Sequence, residues 1–63
     1  MSDYVLWTKT GDGAWRAEDE ADRPQLAALY YRARELIRTE ACERAEVHSR
    51  GVDPNRQAPK ASP

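Results

Sequence analysis

The chain holds one thiol and one imidazole, Cys42 and His48, and these are its only soft-metal or strong-nucleophile candidates. A structural zinc site takes about four ligands, which this pair cannot supply within a single chain. A thiolate nucleophile needs a base, an orienting third group and a pocket, and the sequence offers no third group at a telling spacing. Cys42 therefore reads as a semi-buried structural residue and His48 as a surface one. The acidic run Glu18-Asp-Glu-Ala-Asp22 lacks the alternating carboxylates and central glycine of a calcium loop. Its simpler role is to complement a helix N-terminus, with Asp22 as the cap and Pro24 in the first turn. The expectation is no catalytic residue, no metal and no cofactor.

Surfaces are more informative than reactive groups. Arg34 and Arg38 lie one helical turn apart with Tyr31 beside them, a pattern that suits a polar protein contact. The same three residues could track phosphates and stack a base, which makes nucleic-acid association the alternative function. Against that stand the many acidic residues, a net charge of -1, and Arg32 placed three residues before Glu35, where the two offset each other.

These residues are carried by the stretch Leu26 to Ile37, in which Leu26, Leu29, Tyr30, Ala33, Leu36 and Ile37 recur at spacings of three and four. Such spacing predicts an amphipathic helix with its apolar stripe turned to a core. Upstream, Tyr4-Val-Leu-Trp-Thr-Lys9 has the aromatic and β-branched content of a strand, and Gly11-Asp12-Gly13 predicts a hairpin turn with Gly13 left-handed. Trp7 then faces Ala17, and strict alternation puts Val5, Trp7, Trp15 and Ala17 on one face and Tyr4, Leu6, Thr8 and Arg16 on the other. Downstream, Glu40 and Arg44 would fall within the apolar arc, so the stripe fails near Ala41. Either the helix ends there and Arg44 to Arg50, with alternating Ala45, Val47 and Ser49, forms a third strand, or one long helix runs through residues 24–50. The third strand is preferred because a lone hairpin is marginal in water.

Totals bound the answer. At 63 residues the chain makes one small domain, in the range where a partner subunit often supplies missing stability. It is 40% hydrophobic and 33% charged, and its basic residues are mostly arginine, a bias that points to a GC-rich bacterial or phage source. A lone cysteine argues against a disulfide-stapled secreted scaffold. No signal-like start or membrane-length apolar run is evident, so a cytoplasmic location is expected.

The sequence thus predicts an α+β fold, a small two-layer β-β-α-β domain over residues 1–50 with its first strand central, followed by a flexible proline-rich tail over 51–63. Val5, Trp7, Trp15, Ala17, Ala45 and Val47 would meet the helix. The opposite face, bearing Tyr4, Leu6 and Arg16, would be left uncovered as a contact surface, with Tyr31, Arg34 and Arg38 as a second one. The expected function is a non-enzymatic protein-binding module, accessory or regulatory, that binds a partner protein or itself as a homodimer.

Overall fold

The computed structural model describes residues 2–56. Strand β1 runs Tyr4–Lys9, β2 Arg16–Ala21 and β3 Arg44–Ser49, with a short 3-10 turn, Arg23–Gln25, leading into helix α1, Leu26–Arg38. The sheet order is β2-β1-β3, with both neighbours antiparallel to the central strand. The third strand forms and the long-helix alternative does not.

The helix stops for a local reason. Glu40 adopts a left-handed φ of 64°, which lets its N–H donate to the Ile37 carbonyl at 3.0 Å and the N–H of Ala41 to the Leu36 carbonyl at 2.8 Å. Those two bonds satisfy the last helical carbonyls in the Schellman arrangement. The chain then turns back toward β1, where the N–H of Glu43 donates to the Lys9 carbonyl at 3.0 Å. At the other end Asp22 precedes the 3-10 turn in an extended conformation, with Pro24 inside it, as expected, yet its side chain makes no capping bond. The backbone supplies the closure, Gln25 N–H to the Asp22 carbonyl at 2.9 Å.

Ala45 and Val47 of β3 meet the helix as expected, but the face that β1 and β2 turn to it is the opposite of the sequence expectation. Leu6 is 0% exposed and packs with Leu29 and Ala33, while Tyr4, Ala21, Leu26, Leu36, Ala45 and Val47 close around them. Thr8 is buried beside them. A register shift in β2 is the physical reason: Trp7 faces Ala17 as expected, but Leu6 faces Asp19, leaving Glu18 as an extra residue without a partner in β1. This β-bulge reverses the alternation beyond it, turning Ala21 toward the helix opposite Tyr4. Size acts in the same direction. A helix that approaches through Ala33 can settle on Leu6, Ala45 and Val47, whereas two tryptophans would hold it off.

Three smaller differences follow. The acidic run is mostly strand, since Glu18 to Ala21 belong to β2 rather than to a lead-in for the helix. In the hairpin, Gly11 at φ 59° takes the left-handed position instead of Gly13, and the Gly13 N–H closes the turn on the Thr10 carbonyl at 3.1 Å. The apolar stripe of α1 is also narrower than its sequence suggests: Leu26, Leu29, Ala33 and Leu36 face the core, but Tyr30 and Ile37 do not.

Residues 51–56, assigned by sequence to the tail, fold back on the domain. Gly51 turns the chain at φ 96°, and the side chain of Asn55 makes two bonds to the backbone of Trp15. Its Oδ1 accepts from the Trp15 N–H at 2.7 Å and its Nδ2 donates to the Trp15 carbonyl at 2.9 Å. Ser49 and Trp15 stand at diagonal corners of the sheet, and α1 fills one face. The connecting segment therefore crosses the other face, and its Val52, Asp53 and Pro54 are half-buried. Val5 and Trp7, on the side of this short strap, are half-buried. Residues 57–63 lie outside the described part.

Candidate functional site

The six residues chosen from sequence separate into two groups. Leu6 is core, Tyr4 is half-buried against it, and Arg16 is an exposed residue at the start of β2 opposite Thr8. The hydroxyl of Tyr4 accepts a bond from Arg23 Nη2 at 3.4 Å, an interaction that raises the pKa of the arginine further. A contact surface made of Tyr4, Leu6 and Arg16 on an open sheet face does not exist, because the bulge turns that face under the helix.

Tyr31, Arg34 and Arg38 are brought together. With Glu35 and Ile37 they line a shallow depression of about 450 Å³ on the outer side of α1. Tyr31 is 67% exposed, Tyr30 52% and Ile37 44%, and these are the exposed large apolar side chains among the described residues. All three lie on one helix of 13 residues. Sequence periodicity assigns Tyr30 and Ile37 to the core. The sheet beneath α1 is only three strands wide, so it covers a narrow stripe and leaves both flanks in water.

Electrostatics sort the arginines. Glu35 holds Arg38 through two bonds, Nη2 to Oε1 at 2.6 Å and Nε to Oε2 at 3.3 Å. Arg32 does not offset Glu35 but reaches Asp19 of β2, with Nε 3.8 Å from Oδ2. Among the described residues Arg34 is the helix arginine without an ion pair. A phosphate backbone would meet one uncompensated cation there, where tight binding takes several.

Tyr31 and Glu35 also border a second, larger groove, about 660 Å³, between α1 and the outer edge of β2. Its floor is Ala28, Leu29 and Leu36, and the strand side is Asp19, Glu20 and Ala21. The side chain of Asp19 accepts a bond from the N–H of Glu20 at 2.8 Å. Nothing in the sequence marks this groove, because it exists only where the helix leaves β2 uncovered.

The remaining chemical candidates are apart. Cys42 is buried just past the helix, and burial, with the Glu18 carboxylate second, pushes its thiol pKa up, away from a nucleophilic thiolate. His48 faces Val5 on the strap side of the sheet, where its Nε2 lies 2.8 Å from Glu46 Oε1. On the same side Lys9 and Arg44 stand 5.7 and 5.9 Å from the centre of the Trp15 ring, within cation–π range. Among the described residues no three His, Cys, Asp or Glu side chains gather to hold a metal ion, and no helix is long and apolar enough to cross a membrane. The chain matches no family model, no curated protein and no solved structure.

Proposed function

We propose that this chain is a non-enzymatic protein-binding module, an accessory or regulatory protein whose contact surface is the outer side of α1. One observation carries the reading: the three exposed large apolar side chains, Tyr30, Tyr31 and Ile37, share one helix with Arg34 and Arg38. Tyrosine and arginine beside an aliphatic residue are the side chains that dominate protein interfaces when a partner excludes water from them. Removing such a patch from solvent is worth about 25 cal/mol for each Å² of apolar surface. The neighbouring depression gives a partner side chain a place to enter.

The test compares the tagged wild-type chain with a Tyr31→Ala, Ile37→Asp variant in capture from lysate of the native host, with and without nuclease. Tyr31 is mostly exposed and Ile37 partly so, so the variant should keep its circular dichroism and a cooperative melt, with a midpoint lowered because Asp is unfavourable in the last helical turn. The expected result is a protein that survives nuclease on the wild type and disappears from the variant. Capture that vanishes with nuclease would overturn the reading in favour of nucleic acid at Arg34. Light scattering of the purified chain tells a foreign partner from a second copy: a dimer that dissociates in the variant makes the module its own partner.

A further inference from the structure

We propose that the groove between β2 and α1 receives a basic, extended segment of a partner protein, which adds to the sheet as a fourth strand on β2. The inference rests on the binding-module reading and adds the chemistry of the partner. β2 is an edge strand, and among the described residues no chain pairs with its outer side. Exposed strand edges present unpaired N–H and C=O groups that template a further strand. The N–H of Glu20 is one such group. It points away from β1 and is occupied by the carboxylate of Asp19 from its own chain. An incoming carbonyl would take that N–H and release the Asp19 carboxylate for a cation.

Charge selects the occupant. The edge carries Glu18, Asp19 and Glu20 in succession against a single Arg16, and across the groove stand Arg32 and Glu35, the latter bonded to Arg38, so carboxylates outnumber the cations that line it. A second copy of this chain is a poor fourth strand. Antiparallel pairing of β2 with itself about its centre would set Glu18 against Asp19 twice, and like charges directly opposite destabilise a sheet. Lysine or arginine at alternate positions of a foreign strand would meet carboxylates instead. The methylene stems of those basic residues would lie on Ala28, Leu29 and Leu36 beside Asp19, with Tyr31 as the outer wall. The intervening apolar side chains would fall on the other side of the sheet beside Ala17. Lengths agree as well: the helical stretch from Gln25 to Thr39 that lines the groove is about 21 Å long at 1.5 Å per residue. That matches about six extended residues. The contact between Arg32 and Asp19, long and solvent-exposed, is weak enough to open for the entering cation.

The experiment is a fluorescence-anisotropy titration of the full chain with labelled peptides of alternating Lys and Val, and with their Glu and Val counterparts. The Lys peptide should bind at least about tenfold more tightly than the Glu peptide, with affinity falling as salt rises. It should shift and protect the backbone amides of Ala17 to Glu20 in NMR spectra. Glu18→Lys with Glu20→Lys should weaken binding at least about tenfold. If that variant does not fold, Glu18→Gln with Glu20→Gln should weaken it by a smaller factor in the same direction. Equal binding of both peptides, or Lys-peptide binding unchanged by the charge variants, would overturn the proposal. The Tyr31→Ala, Ile37→Asp chain separates this claim from the broader one. Host capture that depends on the helix, with no Lys-peptide binding, refutes the groove alone. Peptide binding at β2 without helix-dependent capture refutes the helix surface alone.

Discussion

Glu40 shows how a single residue closes the fold. A left-handed φ brings the side-chain Cβ close to the following carbonyl and costs an L-residue about 1–2 kcal/mol, which glycine avoids. Here that strain is accepted because Ala41 and Glu40 satisfy the carbonyls of Leu36 and Ile37 and aim the chain into β3. Glu40→Gly should therefore raise stability by about 1 kcal/mol, visible as a higher urea midpoint with an unchanged slope. A lower midpoint would mean that the glutamate side chain makes a contact outweighing the strain. The candidate contact residues were unequally legible at this scale. Tyr31, Arg34 and Arg38 are polar or aromatic on the far side of a helix, so periodicity alone exposes them. Asp19 and Glu20 were hidden, because a carboxylate beside a helix start and one on a strand edge have the same local sequence.

At the scale of elements the decisive feature is the bulge at Glu18. Alternation along β1 was correctly readable, with Tyr4, Leu6 and Thr8 on one side and Val5 and Trp7 on the other. Which side meets the helix was not. It depends on whether β2 offers that side two carboxylates or, after one inserted residue, Asp19 and Ala21. The helix then chooses Leu6 as its central contact. Leu6→Ala should cost about 2–5 kcal/mol, the range for a fully buried leucine. A domain of this length holds about 3–9 kcal/mol in total, so the variant should lose about half or more of its stability, seen as a urea midpoint that falls in proportion. Near-native stability would place Leu6 outside the core. By contrast Tyr31→Ala, on the exposed helix side, should change stability by less than about 0.5 kcal/mol.

At the scale of the whole molecule, α1 covers one side of the sheet, and the strap of residues 51–55 is tied back to the start of β2 through Asn55 and Trp15. The strap is fastened at Trp15 by both ends of one amide, so Asn55→Ala should remove two bonds and cost about 1–2 kcal/mol. Its expected signature is local. Amide exchange at Trp15 should speed up, and tryptophan emission should move to the red while the helical signal at 222 nm is kept. Asn55→Asp keeps the acceptor for the Trp15 N–H and loses the donor to its carbonyl, so it should fall between the two. An Asn55→Ala chain with unaltered exchange at Trp15 would show that the strap is held elsewhere. The same layering explains the surfaces: among the described residues, a small helix on a narrow sheet leaves Tyr30, Tyr31 and Ile37 to solvent and the outer edge of β2 unpaired.

Taken by itself, the amino-acid order determined the hairpin and the helix and favoured a third strand over a longer helix, because strand alternation, glycine turns and helical spacing are written in residues a few places apart. It determined too that β1 is central, since the most apolar strand loses most by standing at an edge. Tertiary structure alone decided the bulge, the side of the sheet given to the helix, the pairing of Arg32 with Asp19 and of Asn55 with Trp15, and hence the groove beside β2. Each of these joins residues that are distant in the chain or weighs one packing against another. A sum of local preferences carries no term for such contacts.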